Sequence, residues 1–150
     1  MYIEKLLGNL AYGVDTGRES VLECIKLIIK QFPEKLISHR ASSFFTSLSA
    51  TFAGDSSVKC RGQAAEVIID LTERYSSQEY SVLILAFMEN EDPEQKRLAC
   101  LLICLLGDKL KQDFQIDKIV NNFQLLITEE MFPDADDALI ISVLQGKHTI

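Results

Sequence analysis

Gly54-Asp55-Ser56-Ser57-Val58-Lys59-Cys60-Arg61-Gly62-Gln63-Ala64-Ala65 and Asn90-Glu91-Asp92-Pro93-Glu94-Gln95-Lys96-Arg97-Leu98-Ala99-Cys100 carry one pattern twice. Each places an acid in a turn, basic side chains one helical turn later, and small residues after those. A turn acid accepts the N–H groups that a helix leaves unpaired at its start. Pro93 suits the first helical position, where its missing N–H costs nothing. The small residues allow a neighbouring helix to come close. Arg61 and Arg97 stand 36 residues apart, so one helix start is written twice at a fixed spacing.

Outward from these two starts, apolar residues recur at helical spacing almost throughout. After Gly13-Val14-Asp15-Thr16-Gly17, the residues Val21, Leu22, Ile25, Ile28, Ile29 and Phe32 form one stripe. Arg18, Glu19, Glu23, Lys26 and Lys30 lie largely opposite. Asp15 or Thr16 is expected to cap this helix, and Pro33 to end it, because the residue before proline is pushed out of α geometry. A second helix is predicted over 34–53, with Leu36, Ile37, Phe44, Phe45, Leu48 and Phe52 inward. A third, over 57–75, turns Val58, Ala64, Ala65, Ile68, Ile69 and Leu71 inward. A fourth, over 78–90, buries Tyr80, Leu83, Ile84, Phe87 and Met88. The fifth opens at Asp92-Pro93, carries Leu98, Leu101, Leu102 and Leu105, and ends near Gly107 or Leu110. A sixth, over 116–130, buries Ile119, Val120, Phe123, Leu126 and Ile127. A short last helix follows Asp134 with Leu139, Ile140, Val143 and Leu144.

The starts themselves are periodic. Odd-numbered helices begin near 17, 56 and 93, and their partners near 36, 78 and 116. Such spacing is that of two-helix repeats of the HEAT and armadillo type. The expected fold is therefore all-α: an α-α superhelix, a HEAT/armadillo-like solenoid of about three helical hairpins plus terminal helices. Residues 1–150 are expected to form a single HEAT-like helical domain. The turn acid and helix arginine resemble the HEAT signature, in which a turn Asp and a helix Arg from neighbouring units bridge them. Asp55, Arg61, Asp92 and Arg97 are accordingly read as inter-repeat struts. The first pair matches only through Arg18, as terminal units often do.

Composition excludes several function classes. The net charge of −7 is uneven: residues 1–75 hold nine basic and nine acidic side chains, so the excess lies in the second half. Nucleic-acid binding draws its affinity from lysines and arginines that displace counterions, so RNA contact by this segment alone is expected to be weak. Proteins are the expected partners. The N-terminus places Glu4 where a signal peptide would be basic, and the longest apolar run, Leu98 to Leu106, is far short of a membrane span of roughly 20 residues. No membrane partner is expected, and an intracellular protein is. Cys24, Cys60, Cys100 and Cys104 match no zinc or redox spacing. Cys100 and Cys104 share a face, but in an apolar run, and read as small core residues, with neither disulfide nor metal.

A catalytic reading needs a nucleophile with its base, paired carboxylates, a metal cluster or a phosphate loop, and the sequence offers none. The acidic groups Glu89-Glu91-Asp92-Glu94 and Asp134-Asp136-Asp137 fall at helix starts, where carboxylates complement the helix dipole. His148 sits near the C-terminal end of the sequence. The chain is therefore read as non-enzymatic, with no cofactor and no small-molecule substrate. One segment departs from an ordinary helix surface: Ser38-His39-Arg40-Ala41-Ser42-Ser43-Phe44-Phe45-Thr46-Ser47-Leu48-Ser49 is dense in hydroxyls, which are mediocre helix formers. Second helices of such repeats line the concave face. His39, Arg40, Ser43 and Ser47, with Glu79, Lys118 and Asn122 on later second helices, are the candidate partner-binding residues.

The first helices resemble something more particular. Tyr12-Gly13, Gly17-Arg18-Glu19-Ser20-Val21-Leu22-Glu23, Lys30-Gln31-Phe32-Pro33, Phe44-Phe45 and Asp55-Ser56-Ser57-Val58-Lys59-Cys60-Arg61 are similar to one stretch of the down-regulated-in-metastasis family. These are very long HEAT-repeat scaffolds of the small-subunit processome. The resemblance covers roughly residues 10–75. It implies a nucleolar or nuclear role in early small-ribosomal-subunit assembly, in association with the U3 small nucleolar ribonucleoprotein. Without it, a cytoplasmic HEAT or armadillo adaptor holding a peptide or protein partner in transport or signalling is the alternative. The apolar Leu139-Ile140-Ile141, lacking a polar cap, is expected of a piece of a longer solenoid.

Overall fold

The computed structural model describes residues 2–75, 78–110 and 115–126, and all regular structure among them is helical. The elements are α1 (Tyr2–Gly8), a 3-10 turn (Asn9–Ala11), α2 (Asp15–Gln31), α3 (Glu34–Ser38), α4 (Ala41–Gly54), α5 (Val58–Arg74), α6 (Glu79–Glu89), α7 (Pro93–Leu110) and α8 (Ile116–Leu126). The chain is all-α, as its periodicity requires, and it divides into two compact units, residues 1–77 and 78–150. Ile127, the short helix expected after Asp134, its acids Asp134, Asp136 and Asp137, the apolar Leu139-Ile140-Ile141, and His148 lie outside the described residues.

Most boundaries follow from local chemistry. Phe32 is extended and its N–H closes on the Ile28 carbonyl, so α2 ends at Gln31, two residues before Pro33. Ser57 caps α5, its Oγ accepting the Cys60 N–H at 3.3 Å. Asp92 accepts the Glu94 N–H at 3.0 Å and Pro93 opens α7. Two boundaries differ from expectation. The α2 cap is Val14, whose carbonyl accepts the Gly17 and Arg18 N–H groups, and Asp15 is already helical. The predicted helix over 34–53 is two helices, broken at His39 and Arg40, where Arg40 adopts φ −115° and ψ 1°.

The first unit keeps its core between α2, α4 and α5. Leu22, Ile25 and Ile29 from α2, Phe44, Phe45 and Leu48 from α4, and Cys60, Ala64, Ile68 and Leu71 from α5 retain no exposure. Each large member contributes about 1.5–3 kcal/mol through removal of apolar surface from water. Leu36 and Val58, expected inward, are exposed. Val58 adjoins the cap of α5, and Leu36 sits mid-way along the five-residue α3, so Cys60 and Ile37 take the buried places. In the second unit α6 packs on α7 and on α8. Tyr80, Ile84 and Met88, then Leu98, Cys100, Leu102, Ile103 and Leu106, then Ile119 and Phe123, are buried.

One relation defines the packing of the first unit. Lys59 pairs with Glu19, Lys26 with Glu66 at 3.2 Å, and Lys30 with Asp70 at 3.4 Å. Subtracting the numbers gives 40 each time (59 − 19, 66 − 26, 70 − 30). A constant difference means that α2 and α5 run parallel and in register, since an antiparallel pair would keep the sum constant instead. Two helices side by side, related by a 40-residue step and joined through an intervening helix, form the packing unit of a solenoid. At the far end, Arg74 donates to the Ile29 and Phe32 carbonyls at 2.7 and 2.9 Å, and the Tyr75 hydroxyl also donates to the Ile29 carbonyl at 3.2 Å. These groups satisfy orphan carbonyls at the α2 C-terminus and place positive charge at its negative pole.

Each rung joins one exposed and one half-buried side chain and is individually weak, yet the three together report register. The double variant Lys26→Glu/Lys30→Glu is expected to lower the melting midpoint, more at low salt than at high. Adding Glu66→Lys and Asp70→Lys should return most of the loss. Melting curves of the three proteins at two ionic strengths decide this, and lack of rescue would contradict the parallel register.

Candidate protein-interaction surface

The turn that carries the repeated motif becomes a clamp. Arg18 enters from α2, buried to 9% side-chain exposure, and meets Asp55 at 5%. Its Nε donates to Asp55 Oδ2 at 2.8 Å and its Nη2 to Asp55 Oδ1 at 2.9 Å. This two-pronged geometry is the strong form of an arginine–carboxylate pair. Its Nη2 also reaches Ser56 Oγ, and its Nη1 donates to the Tyr12 carbonyl at 2.8 Å. Asp55 Oδ1 accepts the Ser57 N–H as well, and the Asp55 carbonyl accepts Arg61 Nη1 at 2.6 Å. The Arg18 guanidinium, then the Ser57 amide, hold the Asp55 carboxyl below the ordinary carboxylate range against the opposing effect of burial.

The struts read from the sequence are therefore placed as follows. Asp55 is bound through its carboxylate by Arg18, 37 residues earlier, while Arg61 binds its backbone. Both arginines use the same residue, but only Arg18 spans from one helix of the solenoid step to the next. In the second unit Asp92 caps α7, and Arg97 lies 3.8 Å from Glu94 on its own helix.

Tyr12 completes the clamp from the other side. Its ring lies on α2 at Gly17, where an added Cβ would overlap the ring carbons. Tyr12-Gly13, Gly17-Arg18 and Asp55-Ser56 are thus one structure, brought together from two segments that sequence alone treats separately. Cys60 adds a further contact, its Sγ 3.7 Å from the Asp15 carbonyl.

The hydroxyl-rich helix α4 does not present one uniform face. Ser49 and Thr51 are buried, Thr51 donating to the Ser47 carbonyl, whereas Ser43 and Thr46 are exposed and Ser42 and Ser47 half-buried. The outer hydroxyls help to line two open surface clefts beside α1 and the clamp. One, of about 550 Å³, is bounded by Leu7, Gly8, Leu10, Tyr12, Ser47 and Thr51 among others. The other, of about 560 Å³, is lined by Glu4, Leu7, Gly8, Ser42, Ser43, Thr46 and Ser47. Arg40 Nη1 closes one end on Glu4 Oε1 at 2.6 Å and lowers the Glu4 pKa.

The structure thus gathers Arg40, Ser43 and Ser47 beside α1, with His39 exposed on the turn next to Arg40. In the second unit Glu79 and Lys118 are exposed, at the start of α6 and on α8, and Asn122 is half-buried on α8. Sequence reasoning left α1 without a role. The spacing of Ile3, Leu6, Leu7 and Leu10 was the signal that could have placed it on the fold.

Among the described residues, no three His, Cys, Asp or Glu side chains gather closely enough to hold a metal ion. No described helix is long and apolar enough to cross a membrane. All four cysteines are free: Cys24 is exposed, Cys104 half-buried, and burial pushes the Cys100 thiol up to about 12.

Over 107 residues, 70% of its length, the chain is 29% identical to U3 small nucleolar RNA-associated protein 20 of Schizosaccharomyces pombe. Over 90 residues, 58% of its length, it is 30% identical to the protein of that name from Saccharomyces cerevisiae. The chain spans about 4% of the length of each of these relatives. No family model matches it.

Proposed function

We propose that this chain is a non-enzymatic HEAT-type scaffold segment acting in small-ribosomal-subunit biogenesis, with proteins as its chief partners and the nucleolus as its place of work. The observation that carries the reading is the parallel, 40-residue step between α2 and α5, clamped at Arg18–Asp55. Two helices held in that way make a rigid piece of an extended surface, with no constellation of reactive groups on it. The similarity to two U3 small nucleolar RNA-associated proteins supports the choice of complex. The uneven charge supports protein over RNA contact, since the acidic second half repels phosphate.

Affinity purification of the tagged chain from a eukaryotic cell, followed by mass spectrometry and probing for U3 RNA, tests this reading. Enrichment of small-subunit assembly factors and U3 RNA over a control purification is the expected result. Enrichment of transport or signalling proteins without them would replace it with the adaptor reading. A filter-binding titration with single-stranded RNA at low and high salt is expected to show little retention at either.

A further inference from the structure

Helix α6 is apolar on two sides. Its eleven residues, Glu79-Tyr80-Ser81-Val82-Leu83-Ile84-Leu85-Ala86-Phe87-Met88-Glu89, include more apolar side chains than one core-facing stripe can use. Tyr80, Ile84, Leu85 and Met88 are buried in the second unit. On the opposite side Val82 keeps 51% exposure and Ala86 is exposed, with Leu83 and Phe87 half-buried along one edge. A helix that is apolar all round is ordinarily covered all round. Charge marks both ends of the uncovered strip. Glu79 and Glu89 are the only charged residues of α6, and both are exposed. Positions 79, 82, 86 and 89 follow three- and four-residue steps, so the two acids share the face of Val82 and Ala86. The helical rise sets them about 15 Å apart along the axis. Glu79 suits the positive pole of its helix. Glu89 does not suit the negative pole, where a carboxylate is unfavourable, and no basic residue lies in the last turn to offset it.

We infer that this strip of α6 docks a basic segment of a partner protein, whose two cationic side chains meet Glu79 and Glu89 while apolar side chains between them cover Val82 and Ala86. The small Ala86 lets the segment come close, and Leu83 and Phe87 flank it on one edge. A cation seated at Glu89 removes the cost of an acid at the helix C-terminus. The acidic excess of the second half of the chain carries the complementarity beyond the contact itself, favouring encounter with a basic partner and disfavouring an acidic one. The inference rests on the reading of the chain as a protein-binding segment and names the chemistry of one partner surface. Its test uses purified components only, so its failure leaves association with small-subunit assembly factors untouched.

The probe is a fluorescein-labelled helical peptide with two lysines spaced as Glu79 and Glu89 are and leucines between them, titrated against the whole chain and followed by anisotropy. Saturable binding is expected, weakened about tenfold by Glu79→Lys/Glu89→Lys. Val82→Asn/Ala86→Asn, which leaves the charge unchanged, should weaken it about fivefold through lost apolar contact. A peptide with glutamates in place of the lysines should bind the Glu79→Lys/Glu89→Lys protein and not the unaltered one. Glu23→Lys/Glu34→Lys, which removes as much negative charge from exposed positions of the first unit, is expected to change little. All the substituted side chains are exposed, and unchanged far-ultraviolet circular dichroism verifies that the variants fold. Absence of saturable binding, equal loss in Glu23→Lys/Glu34→Lys, or indifference to Val82→Asn/Ala86→Asn would overturn the proposal. So would a dimer in sedimentation equilibrium that Val82→Asn/Ala86→Asn dissolves, because a second copy of the chain would then be the occupant.

Discussion

Asp55→Ala is expected to lower the melting midpoint at pH 7 by on the order of 10 °C, a large effect for one small side chain. The carboxylate is nearly buried and accepts both prongs of Arg18 and the Ser57 amide. Its removal leaves a guanidinium fixed in a protein environment without its counter-charge, which is far worse than never having built the pair. Arg18→Leu should be similarly damaging, because it leaves the acid stranded. The double variant Arg18→Leu/Asp55→Leu should lose less than the two single losses added together, since neither charge is then left alone. The pH dependence has a definite sign. The folded Asp55 pKa is held below its ordinary value of 3.8, so its stabilisation is fully present above that value and is lost as pH falls through the folded one. The gap between wild type and Asp55→Ala should therefore be wide at pH 7 and narrow steadily below about pH 4. Thermal melts at stepped pH measure this directly, and a gap that stays constant into acid would contradict the carboxylate's role.

Phe45→Ala is expected to destabilise the first unit by about 3–5 kcal/mol through lost burial and the cavity left behind. Phe45 retains no exposure, in a unit whose core is built from α2, α4 and α5. A unit of this size commands only about 4–11 kcal/mol in total, so the variant stands near its limit at room temperature. Val58→Ala supplies the contrast: at 73% exposure it is expected to change stability by less than about 0.5 kcal/mol. Urea titrations of the two variants give both values, and a loss at Val58 equal to that at Phe45 would mean that the core has been misplaced.

The helical periodicity, the stops at Pro33 and Asp92-Pro93, and the cap at Ser57 were legible because each is local. A residue's preference within one turn of chain decides it. The break at His39–Arg40 was not, since every residue there tolerates a helix. Arg40 is tied instead to Glu4, 36 residues away. Partner choice within the clamp was hidden for a related reason. Arg61 lies six residues from Asp55 and Arg18 lies 37 away, and sequence spacing favours the nearer one. The fold divides the work, giving the carbonyl to Arg61 and the carboxylate to Arg18. Of the candidate surface, the α4 hydroxyls stood out by composition. The α1 helix that shapes the clefts over them did not, because seven residues with half-buried leucines carry little signal. The match to the Schizosaccharomyces pombe relative extends over 107 residues, more than the 10–75 stretch that motif reading alone could support.

The constant step between α2 and α5 also governs which changes in chain length the protein can absorb. The segment between Phe32 and Ser57 leaves one helix and delivers the other, so residues gained or lost in its turns alter the numerical offset without rotating either helix. A single residue inserted between Lys59 and Glu66 is different in kind. It turns everything after it by about 100°, carrying Glu66 and Asp70 away from Lys26 and Lys30 while Lys59 stays on Glu19. Length variation among natural versions of this segment should therefore gather in the turns around α3 and α4, with α2 and α5 keeping their residue counts.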